Sequence, residues 1–85
     1  MKNLGLYNNS AIDELNNREE IELVDCIEGC LLDSLLFYDS KTKKYYMCLE
    51  HYQNSWSSCY EVRYGTEEEI YQKWDKLKEE LEEVS

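Results

Sequence analysis

The chain has 85 residues, enough for one core, so we expect a single domain over residues 1–85. Its net charge is −10, from 19 acidic and 9 basic residues, while hydrophobic residues make up 42% of the sequence. This charge disfavours direct binding to nucleic acid or to an anionic membrane, and the hydrophobic content argues against disorder. The composition fits a cationic partner, either a basic protein surface or a metal ion.

The sequence predicts a cytoplasmic protein, in the host cell cytoplasm if the gene belongs to a phage. No apolar run in the sequence approaches the ~18 residues of a membrane helix. Residues 1–5 lack the apolar core of a signal peptide. In that compartment the four cysteines are expected to be reduced thiols.

Two elements are predicted in the first third of the chain. Ser10 is a suitable N-cap for a short helix that turns Ile12 and Leu15 inward and ends near residues 16–17. Residues 20–32 are ambiguous, because their apolar positions fit either a strand or a helical stripe. We predict a strand over residues 21–27.

A strand-rich region follows. Residues 31–38 and 44–53 are rich in aromatic and aliphatic side chains, and the polar residues 39–43 between them have the length of a hairpin turn. A second turn is expected at residues 54–57. Another strand is expected at residues 59–64, before Gly65.

The last element is an amphipathic helix. Thr66 followed by Glu69 forms a capping box, and Glu67 and Glu68 favour the positive end of the helix dipole. One apolar stripe then runs along about 18 residues: Ile70, Trp74, Leu77, Leu81 and Val84. The chain is therefore predicted to be α+β: a short N-terminal helix, an antiparallel sheet of three to four strands, and a C-terminal amphipathic acidic helix packed on one face.

The residues with catalytic or metal-binding chemistry do not form a recognisable motif. Cys26 and Cys30 have zinc-like spacing, but Cys48 and Cys59 do not, so buried thiols are the preferred interpretation. The single histidine, His51, lies within a predicted strand, where a structural role is favoured. We expect no enzyme, no catalytic residue, no bound metal and no cofactor.

The acidic surface of the last helix carries the functional prediction. Asp75, Glu79 and Glu83 form a row of like charges four residues apart, which costs a little stability. The simplest explanation is a solvated face that keeps the protein soluble. The sharper hypothesis is that the carboxylates replace phosphates, although the helix is less densely charged than duplex DNA. Mimicry would then need acids of the segment 19–28 on the same side.

Aromatic side chains supply a second candidate surface. Tyrosines and Trp56 crowd the hairpin region, and rings outside the core are frequent interface hot spots. Trp56 lies in a polar turn, where it either caps the core or contacts a partner. Tyr45, Tyr46, Tyr52, Tyr60 and Tyr64 are the other rings of this region.

A short region resembles small acidic phage anti-CRISPR proteins that inhibit Cas9. The similarity covers residues 54–74: an Asn-Ser-Trp at 54–56, then Tyr60 or Tyr64, then Glu-Glu-Glu-Ile-Tyr at 67–71. The spacing differs from that of the family. The resemblance implies an acidic surface that occupies a DNA-binding cleft, with Glu67, Glu68 and Glu69 as the positions carried over.

The leading hypothesis is thus an interaction protein, an inhibitor that blocks a basic, nucleic-acid-binding effector. Its expected contact residues are Trp56, Glu67, Glu68, Glu69, Asp75, Glu79 and Glu83. The alternative is a small homo-oligomeric accessory or regulatory subunit that binds a protein through its aromatic sheet face. A thiolate zinc module is a third possibility, and the chain is expected to be a monomer or a homodimer.

Overall fold

The protein is a two-helix, five-stranded α+β domain in the computed structural model, which describes residues 1–28, 33–54 and 57–84. For residues 52–54, 57–58 and 81–84 it describes the backbone alone. The sheet is antiparallel, with strand order β1-β5-β4-β3-β2. Its elements are β1 (Lys2–Tyr7), α1 (Asn9–Asn16), β2 (Ile21–Glu28), β3 (Asp33–Asp39), β4 (Lys44–Asn54), β5 (Ser57–Gly65) and α2 (Glu67–Val84).

The α+β class and the antiparallel sheet are confirmed, but the predicted number of three to four strands is wrong. The described residues form five strands because Lys2–Tyr7 pairs with β5 at one edge of the sheet. The sequence signal there is weak, since only Leu4 and Tyr7 are half-buried and Gly5 interrupts the strand. Gly5 has φ +90 beside a register shift, a backbone conformation that glycine adopts without strain.

The sheet separates two hydrophobic cores, one under each helix. On the α1 side, Ile12 and Leu15 pack over a cluster from the strands: Ile21, Phe37, Cys48 and Val62. On the α2 side, Ile70 and Trp74 pack with Ile27, Leu36 and Met47. Alternation along each strand produces this division, because successive side chains point to opposite faces.

A β-bulge at Val24 lets strand β2 contribute to both cores. Leu23 pairs with Phe37, whereas Asp25 pairs with Leu36, so one extra residue is accommodated between them. Without it, residues 21 and 27 would share one face. With it, Ile21 enters the α1-side core and Asp25 lies on the α2 side, as does Ile27.

Both helices lie near their predicted positions, with different details at the first. Asn8, not Ser10, caps α1, and its Oδ1 accepts a hydrogen bond from the Ala11 N–H at 2.8 Å. The capping box of α2 is formed as predicted: Glu69 N–H donates to Thr66 Oγ1, and Thr66 N–H donates to Glu69 Oε1, both at 3.4 Å. Among the described residues, no helix is long and apolar enough to cross a membrane.

Candidate interaction surface

Helix α2 is the largest surface element, and a polar contact fixes its rotation over the sheet. The Trp74 Nε1–H donates a hydrogen bond to Asp25 Oδ2 at 2.9 Å, and Lys78 Nζ lies 3.4 Å from the same oxygen. The indole hydrogen bond is the main reason that the pKa of Asp25 is lowered, and the Lys78 charge adds to it. Asp25 is thereby kept ionised beneath the helix, and Lys78 is turned towards β2.

The three consecutive glutamates that open α2 do not form one face. Successive residues of a helix are rotated by about 100°, so Glu67, Glu68 and Glu69 point in three directions. Glu69 pairs with the Met1 amino group, which is the main reason that its pKa is lowered, and its hydrogen bonds to Thr66 in the capping box add to this effect. Of the three, Glu68 points farthest from the sheet, opposite the buried side of the helix.

Three exposed carboxylates of α2 share its outer face. Counting about 100° per residue, Glu68, Asp75 and Glu79 fall within an arc of about 40°, away from the buried Ile70 and Trp74. We call these three residues the acidic ridge. Within the described part of the chain, none of them forms a hydrogen bond or an ion pair.

The lysines of α2 lie off the ridge. Lys78 reaches Asp25 on the β2 side, while Lys73 and Lys76 border a groove on the β5 side. Lys76 and Glu80 are four residues apart on the helix, as are Glu69 and Lys73, but neither pair is among the ion pairs of the described residues. The helix therefore keeps its lysines away from the ridge: the three ammonium groups lie on its two flanks, where Glu67, Glu69 and Glu80 also lie.

Two of the predicted contact residues cannot be placed. Trp56 lies outside the described residues, and Glu83 is in the stretch for which only the backbone is described. Of the expected row of Asp75, Glu79 and Glu83, the structure therefore describes the side chains of the first two. Glu68 joins them on the same face, seven residues before Asp75. The 3.6-residue period places Glu68 and Asp75 two turns apart on one line, a relation that counting in fours misses.

Strand β2 carries several of the acids of segment 19–28 that mimicry of a nucleic acid would need on the side of the ridge. Glu22 pairs with Tyr38 and so lies on the α2 side, next to Asp25 in the alternation. Glu28 pairs with Asp33 and lies on the α1 side. Only part of the acidic segment 19–28 therefore shares a side with the acidic ridge, because the bulge divides β2 between the two faces.

His51 belongs to a polar network on the sheet and has no nucleophile among its recorded contacts. Its Nε2 lies 3.3 Å from Glu61 Oε2, and half of its side chain is exposed. Glu61 Oε1 also accepts hydrogen bonds from Arg63 at 2.9 Å and from Asn3 at 3.1 Å. The Arg63 hydrogen bond is the main reason that the pKa of Glu61 is lowered. Glu61 thus acts as a shared acceptor that ties β1, β4 and β5 together.

The described cysteines are dispersed by the sheet. Cys48 pairs with Val62 and faces the α1-side core, whereas Cys59 pairs with His51 and is buried on the opposite face. Cys26 lies on the α1 side, exposed, with Leu35 between it and Cys48. Two strand spacings of about 4.8 Å separate Cys26 from Cys48, too far for thiolates bound to one zinc ion. Burial raises the pKa of Cys48 to about 12, which keeps its thiol protonated.

Comparison with protein-family models, with curated proteins and with solved structures finds no match to this chain. Its function must therefore be inferred from the surfaces described above.

Proposed function

We propose that this protein is a small acidic inhibitor that occupies a basic, nucleic-acid-binding surface of a partner protein. The acidic ridge of α2 is the contact, and its separation from the lysines of the same helix is the observation that carries the proposal. A solubility surface needs only net charge. The ridge in addition aligns Glu68, Asp75 and Glu79 on one line, with no cation of the described residues paired to them.

The spacing of the ridge supports electrostatic competition more than detailed imitation of DNA. Glu68 and Asp75 are about 10 Å apart along the helix axis, and Asp75 and Glu79 about 6 Å. One strand of duplex DNA carries a charge about every 3.4 Å. The ridge can therefore engage several lysine or arginine side chains that would otherwise contact phosphates, and prevent nucleic acid from binding there.

The resemblance at residues 54–74 suggests a specific form of this function, a phage anti-defence protein directed at a Cas9-type effector. Glu68 lies both in the resembling segment and in the ridge. Glu69 is engaged in the capping box, so its contribution to a partner contact would compete with an existing one. The cytoplasm of the infected host is the compartment in which such an inhibitor would act.

The test compares two charge-matched triple variants. Glu68→Gln, Asp75→Asn and Glu79→Gln together remove three charges from the ridge. The control removes three charges elsewhere, with Asp13→Asn, Glu14→Gln and Glu19→Gln, all exposed on α1 or just after it.

Partners are captured from host lysate at low salt, and the captured protein is then tested for binding of labelled DNA or RNA with each variant present. The ridge variant should inhibit about threefold to 150-fold less, because three exposed contacts of about 0.2–1 kcal/mol each sum to about 0.6–3 kcal/mol. The control should inhibit nearly as well as the unchanged protein. Equal inhibition by both triple variants, or a partner that resists high salt, would contradict the proposal.

The alternative of an oligomeric accessory subunit with an aromatic binding face has less support. The described tyrosines on both faces are half-buried against other parts of the chain. The ring centroids of Tyr46 and Tyr64 are 4.7 Å apart, and those of Tyr45 and Tyr71 are 5.3 Å apart. Sedimentation at increasing concentration tests it, since this alternative requires self-association or a partner lined by aromatic residues.

A further inference from the structure

A groove between α2 and strand β5 differs in chemistry from the rest of this acidic protein. It has a volume of about 250 Å³ and an apolar floor of Met47, Leu49 and Leu77. Its polar border consists of Arg63, Lys73, Lys76 and Glu80. Three cations and one acid thus surround an apolar floor in a chain whose net charge is −10. We call this the basic groove.

Two cations of the basic groove have no carboxylate partner among the described side chains. Arg63 is paired with Glu61 at 2.9 Å. By contrast, Lys73 and Lys76 are exposed and take part in no ion pair within residues 1–28, 33–51 and 59–80. Six acids lie on α2 between residues 67 and 80, yet none of them pairs with either ammonium group beside this apolar surface.

The row of side chains that begins at Leu49 of the floor continues beyond the cover of α2, with one leucine on each side of the ion-paired Glu61. Leu49 pairs with Glu61, and Glu61 pairs with Leu6, so these three side chains form one row across β4, β5 and β1 on the α2 side of the sheet. Leu49 is half-buried under the helix, but Leu6 at the edge is 61% exposed. About 10 Å, two strand spacings, separates the two leucines.

We infer that the basic groove binds an acidic segment of a partner protein, with an apolar side chain on the floor and carboxylates against Lys73 and Lys76. Charge complementarity favours the groove over the outer face of the same helix, where the ridge would repel an acidic segment. The groove is also open and shallow, which suits a polypeptide extending towards Leu6 more than an enclosed small molecule. A nucleic acid fits less well, because its dense negative charge would be repelled by the net negative charge of the whole protein.

This inference is independent of the inhibitor function, which uses the opposite charge on a different face of α2. If both operate, the molecule joins a basic partner at the ridge to an acidic one at the groove. Reversing Lys73 and Lys76 to glutamate abolishes the second contact while leaving the three ridge carboxylates in place.

A random peptide library displayed on phage and selected against the full chain at low salt supplies the probe. The enriched peptides should combine acidic residues with an aliphatic or aromatic one. A synthetic, fluorescently labelled copy of the enriched sequence should bind at least about tenfold more weakly to the Lys73→Glu, Lys76→Glu double variant. The matched control is Lys41→Glu with Lys43→Glu, the same charge change in the exposed turn after β3, and it should bind as the unchanged chain does.

Leu6→Ser provides a second variant that the fold tolerates, because Leu6 is mostly exposed. It should weaken the peptide about threefold without altering the salt dependence of binding. Enrichment of basic peptides, no enrichment at all, or equal binding by the Lys73/Lys76 and Lys41/Lys43 variants would overturn the inference. A concentration-dependent dimer that the Lys73/Lys76 variant abolishes would overturn it too, since the occupant would then be a second copy.

Discussion

The two faces of the sheet are covered by helices of very different length. On one face, α1 is 8 residues long and buries only Ile12 and Leu15. On the other, α2 has 18 residues and buries a tryptophan. The short helix is supplemented by half-buried tyrosines packed against its core: Tyr7, Tyr46 and Tyr60. A tyrosine ring closes the border of a core while its hydroxyl stays near water, so side chains replace the helical cover that the chain lacks there.

The difference also explains which face offers binding surfaces. Helix α2 is about 27 Å long, whereas a core of this size needs only its Ile70, Trp74 and Leu77. The rest of its circumference is free to carry the acidic ridge on one side and the basic groove on another. On the α1 face most large side chains close the core, although Leu23 on the edge strand β2 is 45% exposed.

The largest expected effect comes from truncating the centre of each core. Trp74→Ala should lower the free energy of unfolding by about 3–5 kcal/mol, because it leaves a large cavity and removes the partner of Asp25. Leu15→Ala on the other face should cost about 2–3 kcal/mol, since half-buried neighbours can close over the smaller gap. Urea unfolding followed by circular dichroism measures both, with Lys76→Ala as a near-neutral control. A greater loss for Leu15→Ala would reverse the proposed ranking of the two faces.

The second prediction removes the residue that divides β2 between the faces. Deleting Val24 shifts one half of the strand by a residue, so either Ile21 or Ile27 must leave its core. We expect a loss of about 2–4 kcal/mol, the cost of emptying a buried isoleucine position. Val24→Ala keeps the residue count and should cost less than about 0.5 kcal/mol, because Val24 is 42% exposed. Equal stabilities of the deletion and the substitution would show that the bulge does not set the register.

The third prediction tests the polar contact that only the α2 face has. Asp25→Asn keeps an acceptor for the Trp74 N–H but removes the charge, so it should cost about 1 kcal/mol at neutral pH. The folded-state pKa of Asp25 lies below the ordinary 3.8, so its contribution is present above pH 3.8 and lost as pH falls through the folded value.

The stability difference between the unchanged protein and Asp25→Asn should therefore disappear in acid. Urea unfolding at several pH values between about 2 and 7 measures this difference in the free energy of unfolding. Glu22→Gln on the same strand is the control and should leave the free energy of unfolding almost unchanged, since Glu22 forms no side-chain hydrogen bond or ion pair with another described residue. A difference that persists in acid would mean that the Asn side chain is accommodated poorly, independently of charge.

The smallest effect concerns thiol chemistry and leaves stability unchanged. In a Cys30→Ser background, a thiol-specific aromatic disulfide should label Cys26 in the folded protein. The reaction should be slow, because partial burial first, and then the charges of Glu28 and Asp33, raise the pKa of Cys26. Cys48 and Cys59 should react only after unfolding in urea, since both are buried. Rapid labelling of more than one thiol without urea would indicate that the cores open easily.

Local patterns determined much of this fold. The 3.6-residue spacing of Ile70, Trp74 and Leu77 with the Thr66 capping box predicted α2 correctly, because both signals lie within the helix itself. The strand over residues 21–27 and the hairpin around the turn at 39–43 were likewise predicted, since alternating or apolar runs bounded by polar turns are local features. The opening strand was missed because an edge strand needs few buried residues, and Lys2–Tyr7 has only two half-buried ones.

The candidate site shows the same division. The sequence by itself determined that the protein is acidic, that the densest cluster of acidic residues lies on α2, and that Asp75 and Glu79 are close to each other on this helix. Only the tertiary structure decided which charges are available. Among the described residues, it engaged Glu69 at the helix cap, turned Lys78 to Asp25, left Lys73 and Lys76 without an ion pair over an apolar floor, and placed Cys48 and Cys59 on opposite faces. Such contacts join residues up to 68 positions apart, as for Met1 and Glu69, and depend on strand order and on the bulge at Val24. Periodicity describes one element at a time and contains no information about which other element will lie beside it.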